Sequence, residues 1–386
     1  MKKAGIVTLY YNNINYGGML QAAATVKMLE NIGVNAEQIS YQKNGNHIQQ
    51  TSLLKRMSQY SPLKLVKLVF DRLHWIYIDF RDKSILKKNS NNLIIRRNAF
   101  LNFMESIPHT QLVDDSSIYQ LDDNYDFYVS GSDQVWNPAH WSNTFFLKFT
   151  DKKKMSYAAS LGVDNLSQCD SKVFKEGISD IDIITVRENS AKELVEKYTD
   201  KTAKVVLDPT LMLKKTDWEQ YEKPYDVNEK YILCYLLGKN KQQHKLIRKF
   251  AKEKSLKIVY LPFSQRQECY KDKDFGDIRL YDVGPAEFLY LIHNAQYVVT
   301  DSFHAVVFSL IYNKEFYVLN RYYGGRVTDN GRVLTLLSTV NLQDRFVLNK
   351  TDIDKCQKIK WENKNEIIAK KQSEIYEFLK KTIQEI

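Results

Sequence analysis

Cysteine is scarce in these 386 residues: Cys169, Cys234, Cys269 and Cys356 lie far apart, with no Cys-x-x-Cys and no nearby histidine pair. That excludes a disulfide framework and a cysteine-ligated zinc site as the basis of the fold. No other metal-ligand spacing occurs, so no metal is expected. Long apolar runs are also missing. Lys2 and Lys3 precede only the short stretch Ala4 to Tyr10 before polar Asn12, Asn13 and Asn15, which suits neither a signal-peptide core nor a spanning helix. A cytoplasmic chain is expected. With only 14 glycines and 7 prolines there is no collagen-like or low-complexity scaffold. What is present, 44% hydrophobic and 26% charged residues, is the composition of a folded globular protein, and the length suits two domains rather than one core.

Charge is unevenly placed. Of a formal net +10, the stretch from Lys55 to Arg97 holds +8, with Lys55, Arg56, Lys64, Lys67, Arg72, Arg81, Lys83, Lys87, Lys88, Arg96 and Arg97 set against Asp71, Asp79 and Asp82. A nucleic-acid groove spreads its cations over several elements, so no nucleic-acid partner is expected; one dense segment suits a local anion such as phospholipid, pyrophosphate or a charged glycan. An ordinary solvated face is the alternative. Ser61 and Pro62 read as the cap and first position of a helix, with Leu65, Leu68, Val69, Leu73 and Ile76 on one side and Lys64, Lys67, Asp71 and His74 opposite. With Trp75, Tyr77 and Phe80 close by, this basic amphipathic segment, 53–104, either packs on its domain or rests on an anionic membrane surface.

Strands alternate with helices along the rest of the chain. AGIVTLY reads as a buried strand, and YNNINYGG leads into an apolar helix from about Met19 to Gly33. DFYVSG, MSYAAS, DIITV and AKVVLD follow as strands, with a helix starting near Glu188. After a linker at Met212 to Glu229 the pattern restarts with strand KYILCYLL, a helix over 241–254, strand LKIVYL, helix PAEFLYLIHN, strand AQYVVT, helix SFHAVVFSLIYN and strand EFYVL. Such alternation predicts parallel sheets covered on both faces. We place an N-terminal Rossmann-like domain at 1–215, a C-terminal one at 216–357, and a final helix, 358–386, lying back across the first domain.

In α/β domains ligands sit where strands end in loops at the carboxyl edge. Four such places carry chemistry-bearing residues, beside the glycine loop that opens the first helix. Gly17 and Gly18 precede a helix whose N-terminal amides suit an anion, although a glycine pair there also serves a tight turn. GSDQVWN gathers Ser132, Asp133, Gln134, Trp136 and Asn137, suited to hold sugar hydroxyls by hydrogen bonds and an apolar sugar face by the indole; Ser132 and Asp133 could equally cap a helix. Arg187, at the end of a strand, suits a bidentate grip on a carboxylate or phosphate, or else an internal salt bridge to Glu188 or Asp208. VTDSFH sets Asp301, Ser302 and His304 between a strand and a helix N-terminus, where an imidazole can act as acid or base while helix amides hold an anion. NRYYGGRVTDNGR adds Arg321, Arg326 and Arg332 in a glycine-rich loop able to close over phosphate, or merely mobile.

Taken in order, NYGGMLQ, YVSGSDQVWN, YAAS, VREN, LDPTLML, PAEFLYLIHNAQYVVTDSFHAVVFSLI and GRVLTLL resemble the polysaccharide pyruvyl transferase family, from residue 5 to about residue 345. Two positions depart: the family's SFHG ends here at Ala305, and Ser302 stands where some members carry arginine. The resemblance implies a GT-B-like pair of Rossmann-like domains and transfer of the enolpyruvyl carbons of phosphoenolpyruvate to a sugar of a bacterial surface-polysaccharide precursor. A pyruvate ketal and phosphate would result, with no cofactor beyond the donor substrate. It implies a catalytic set of His304, Arg187 and Asp133. Donor contacts would come from Arg187, Ser302, His304, Arg321, Arg326 and Arg332. Acceptor contacts would come from Tyr16, Gly17, Gly18, Gln21, Ser132, Asp133, Gln134, Trp136 and Asn137. The partners expected are phosphoenolpyruvate, a glycan acceptor that is free or lipid-linked, and an anionic membrane face. A GT-B glycosyltransferase using a nucleotide sugar and a non-catalytic glycan- or lipid-binding homologue are the alternatives.

Overall fold

The computed structural model describes residues 1–43, 76–238, 241–263, 269–321 and 330–386. Lys55, Arg56, Lys64, Lys67 and Arg72, the expected helix after Ser61, and Arg326 lie outside them.

The first sheet is built from β1 (Lys3–Val7), β2 (Asn35–Gln38), β3 (Phe127–Ser130), β4 (Lys153–Ala159), β5 (Ile183–Val186) and β6 (Lys204–Val205), in the order β2-β1-β3-β4-β5-β6. The second holds β7 (Tyr231–Tyr235), β8 (Lys257–Leu261), β9 (Ile278–Arg279), β10 (Tyr297–Thr300), β11 (Glu315–Leu319) and β12 (Phe346–Val347), in the order β12-β11-β10-β7-β8-β9. Every strand pair is parallel. Central strands β3 and β7 are buried along their whole length, as runs such as FYVS and YILCY require when helices cover both faces. In each sheet the strand order reverses beside the central strand, between β1 and β3 and between β7 and β10. Those two switch points open at the strands' carboxyl ends and define where a ligand can enter.

The helices used below are α1 (Tyr16–Glu30), α2 (Ser90–Glu105), α3 (Gln168–Ile178), α4 (Asn189–Tyr198), α5 (Lys241–Lys254), α6 (Pro285–Asn294), α7 (Phe303–Ile311), α8 (Gly331–Thr339) and α9 (Trp361–Glu385). Helix α1 is apolar almost all round and correspondingly buried, because it is enclosed by both domains: it packs on β2, on the turn Pro209–Met212, and on α6 and α7. One continuous apolar cluster therefore runs from Ala4 and Leu20 through Phe288 and Phe308 to Leu379. Helix α9 returns to the first domain, where Gln372 donates to the Leu211 carbonyl at 2.6 Å and Tyr376 to that of Met212 at 3.0 Å.

Arg96 corrects the reading of the basic segment as one solvated or docking face. Its guanidinium is buried, lies 4.9 Å from the Tyr16 ring and 5.8 Å from Phe100, and donates across to the Pro262 carbonyl at 3.0 Å. Tyr16 in turn stacks on Phe288 at 4.3 Å and donates its hydroxyl to Val283 at 2.8 Å. Burial pushes that hydroxyl up to about 12, so it remains a neutral donor. Arg96 and Tyr16 thus pin the two domains together. A charge-assisted bond and cation–π contacts of this kind are together worth about 2–4 kcal/mol. Arg96→Gln should lower unfolding stability by that amount in urea titrations; a change below about 0.5 kcal/mol would place the strength of the interface elsewhere.

Candidate active site between the two domains

The carboxyl edges of the two sheets face each other, and the charged residues there are buried. Arg187 follows β5 and Asp208 follows β6; their side chains, each 1% exposed, meet at 2.8 Å. Asp208 is the hub of the site. One carboxylate oxygen accepts from the Thr210 backbone at 3.0 Å and hydroxyl at 2.6 Å. The other accepts from Ser132 Oγ at 2.8 Å and Arg187 Nη1 at 2.8 Å. Burial alone would raise its pKa, but His304, Arg187 and the Thr210 bond hold it far below the ordinary carboxylate range. Asp208 is therefore a fixed negative charge.

The rest of the Arg187 guanidinium is less tightly held. Nη2 lies 3.7 Å from Asp133 and Nε 3.9 Å from Glu188, and neither makes a hydrogen bond. Phe303, from the second domain, covers one face at 4.5 Å. Burial would lower the guanidinium pKa, but Asp208, Asp133 and Glu188 outweigh it and raise the value. The internal salt bridge read as the alternative for Arg187 is present, and its Nε and Nη2 edges face Glu188 and Asp133 without a hydrogen bond.

His304, in the first turn of α7, reaches across from the second domain so that Nε2 sits 3.7 Å from Asp208. That is an ion-pair distance and not a hydrogen bond, so Nε2 keeps its capacity to exchange a proton with a third group. The glycine pair explains how the ring can come so near. A Cβ on Gly17 would fall 1.9 Å from His304 Nδ1, and one on Gly18 would lie 3.5 Å from an Asp133 carboxylate oxygen. The glycine pair thus brings the start of α1 between His304 and Asp133. Asp133 itself adopts φ 74, in the left-handed region uncommon for residues other than glycine. No helix follows Ser132 and Asp133, so neither acts as a cap.

Other expected ligand contacts are placed differently. Trp136 is fully buried in the first domain's core, its Nε1 donating to Phe145, so its indole cannot stack on a sugar without unpacking that core. Gln21 is fully buried and bonded to Thr8 and Gly18, and Tyr16 belongs to the interdomain clasp. Ser132 faces Asp208 as a positioning group. Ser302 is the N-cap residue of α7, and its backbone N–H donates to Thr300. Arg321 donates to the Asp301 carbonyl at 2.8 Å, while the Asp301 carboxylate accepts from the amides of Leu237 and Gly238 at 2.6 and 2.7 Å. Arg332 is not in a loop: it lies in the first turn of α8 and reaches the first domain, where the Gln134 amide oxygen accepts from it at 2.8 Å. Asn137 caps the Ala139 amide at 2.9 Å.

Thr210 and Phe303 were not singled out by their local sequence, and Glu188 and Asp208 only as salt-bridge partners of Arg187. Asp208 had a readable signal, since Asp-Pro after a strand marks a cap, and it does cap the turn Pro209–Met212. Among the described residues no group of histidine, cysteine and carboxylate side chains could hold a metal ion. Nor is any described helix long and apolar enough to cross a membrane. A cavity of about 610 Å³ at the opposite, amino-terminal edge of the second sheet, bordered by Lys230, Arg248 and Lys257, contains none of these site residues.

Two facing Rossmann-like domains of six parallel strands, with the terminal helix returned to the first, define the GT-B class of fold. A UDP-GlcNAc 2-epimerase of Methanocaldococcus jannaschii has a TM-score of 0.50 at 14% identity, over 92% of this chain and 91% of that one. A Staphylococcus aureus MnaA–UDP complex has 0.49 at 14% identity over 92% and 86%, and an α-glucosyltransferase with UDP has 0.49 at 10% over 98% and 95%. No curated protein matches the chain significantly. The model of the polysaccharide pyruvyl transferase family matches residues 15–322, and the chain belongs to that family. It is accordingly a transferase of polysaccharide biosynthesis.

Proposed function

We propose that this protein transfers the enolpyruvyl carbons of phosphoenolpyruvate to two hydroxyls of a sugar in a bacterial surface-polysaccharide precursor, forming a pyruvate ketal and releasing phosphate. The observation that carries this reading is the meeting of His304 from one domain with Asp133, Arg187 and Asp208 from the other around the glycine pair of α1. A compact trianionic donor needs fixed cations and amides more than an apolar slot, and Arg187 supplies two unbonded N–H edges.

The proton accounting requires no electron transfer. A proton delivered to the donor's methylene by His304 makes a methyl group and an oxocarbenium-like centre at C2, which the first sugar hydroxyl attacks. The C2–O bond to phosphate then breaks, and the second hydroxyl closes the ketal. Of the two hydroxyl protons lost, one returns to His304 and the other leaves with phosphate. Asp133, at the edge of the site, is placed to take a hydroxyl proton in transit. Incubation with phosphoenolpyruvate and candidate acceptors should release phosphate and add the mass of the ketal to the acceptor. Acceptor gain from nucleotide sugars instead would overturn the assignment.

Arg187→Lys tests the donor contact. Lysine keeps the charge but loses the planar fork, so turnover over donor KM should fall by about tenfold or more. If both parameters stay within about twofold, Arg187 serves only its salt bridge to Asp208.

We propose further that the acceptor is displayed at an anionic membrane. On the exposed face of 76–105, Lys83, Lys87, Lys88 and Arg97 lie among Ile76, Phe80, Ile94 and Ile95, which are 52–70% exposed. Each cation near an anionic surface contributes roughly 1 kcal/mol. Changing those four cations to glutamine should abolish salt-sensitive flotation with vesicles rich in phosphatidylglycerol and spare turnover on a short soluble acceptor. Undiminished flotation would remove the face from the proposal.

A further inference from the structure

Helix α8 of the second domain packs against α4 of the first, where the Asn189 amide donates to Thr335 Oγ1 at 3.5 Å. Arg332, in the first turn of α8 and 7% exposed, crosses the interface there. Both of its terminal nitrogens, Nη1 and Nη2, donate to the Gln134 amide oxygen at 2.8 Å. Its charge also acts on Glu188. One oxygen of that buried carboxylate accepts from Ser160 Oγ at 2.8 Å and from the Leu161 amide at 3.2 Å, while the other has no hydrogen bond. Burial raises the Glu188 pKa, and Arg187 and then Arg332 pull against that rise. This tie between the domains shares no residue with the Arg96–Tyr16 clasp.

We propose that Arg332 is a positioning residue: it clasps the second domain onto the first and so holds His304 opposite Asp208, without itself touching the donor. The charges of the interface argue for this role. On the first domain's side, Asp133, Glu188 and Asp208 stand around the single guanidinium of Arg187. That excess is negative, and the second domain brings the balancing groups: His304, 3.7 Å from Asp208, and Arg332, acting on Glu188. Basic and acidic side chains thus alternate along His304, Asp208, Arg187, Glu188 and Arg332, with both ends carried by the second domain. Parting the domains would leave three carboxylates to one cation, so the balance of charge favours the closed arrangement. Helices α7 and α8 pack on each other, so what fixes Arg332 also fixes His304 at the start of α7. Gln134 follows Asp133 directly, so the same clasp steadies the loop that carries that carboxylate. With Nη1 and Nη2 engaged by Gln134, the donor contact expected of Arg332 gives way to an interdomain one. Its part in turnover rests on the proposed function; the clasp does not.

The test compares the full wild-type chain with Arg332→Gln, Gln134→Leu and the double variant, by small-angle X-ray scattering and by steady-state kinetics with phosphoenolpyruvate. Each variant should scatter as a more open molecule, its radius of gyration larger by about 1 Å on the roughly 21 Å of a compact chain of this length. Turnover should fall about tenfold or more while the phosphoenolpyruvate KM stays within about threefold. The double variant should lose no more than either single one, and Gln134→Glu, which again offers the guanidinium an acceptor, should regain most of what Gln134→Leu loses. Gln134→Leu alters no charge, so it carries the test if Arg332→Gln fails to fold. Unchanged scattering in the folded variants would overturn the clasp. A donor KM raised about tenfold at unchanged turnover would make Arg332 a donor ligand and overturn the positioning role. Additive losses would show that Arg332 and Gln134 act separately, with the same consequence. A wild-type chain that transfers no pyruvyl group would sink the proposed function, and the scattering would still decide the clasp.

Discussion

His304→Gln should reduce turnover by about 100- to 10,000-fold with the fold retained, the usual cost of removing a positioned acid or base. Glutamine approximates the reach of the ring and keeps a polar amide beside Asp208, so packing against Gly17 is disturbed little while proton exchange at Nε2 is lost. The position is only 7% exposed, yet its neighbours belong to the other domain: Gly17 at the start of α1 and Asp208 after β6. A structural histidine would betray itself through stability. The expected result is therefore lost phosphate release from phosphoenolpyruvate, with a urea midpoint close to that of wild type. Near-normal turnover in the folded variant would remove His304 from the chemistry.

Asp208→Asn should cost about 3 kcal/mol of stability and most of the activity together. Removing one member of a buried ion pair leaves its partner uncompensated, and here the partner is Arg187, whose remaining carboxylates stand at 3.7 and 3.9 Å. The pH dependence identifies the cause. The Asp208 pKa is lowered in the folded chain, so its contribution is complete above the ordinary carboxylate value of about 3.9 and is lost as pH falls toward the folded value. The stability gap between wild type and Asp208→Asn should thus be widest near neutrality and shrink under acid. Urea midpoints measured from pH 7 to pH 3 will show this. A gap independent of pH would mean that Asp208 matters for its hydrogen bonds to Thr210 and Ser132 and not for its charge.

Much of the architecture was legible because it depends on local periodicity. The helix expected at PAEFLYLIHN is α6, Pro285–Asn294, residue for residue, since proline at the first position and Glu287, whose carboxylate accepts from the Gly284 amide, mark its start. The final helix from Trp361 is equally plain. Placing candidate residues at strand ends also followed from the alternation of strands and helices, and it brought Arg187, Asp133 and His304 to one site. AKVVLD was overextended: only Lys204–Val205 pairs as β6, an edge strand with a partner on one side.

What the sequence by itself determined is therefore the order of elements, two parallel α/β units and the ends of strands at which charged side chains would gather. The tertiary structure alone decided which of those side chains face one another. Trp136 and Gln134 are two residues apart in one loop, yet the indole fills a core while the amide meets Arg332 from the other domain. Arg96 looked like its basic neighbours until the second domain supplied the Pro262 carbonyl. Asp208 became the hub because Ser132, Arg187 and His304, distant along the chain, converge on its one carboxylate. The physical reason is range: hydrophobic periodicity is written within a few turns or strands of its own element, whereas the partner that stabilises a buried charge is chosen by the packing of two whole domains.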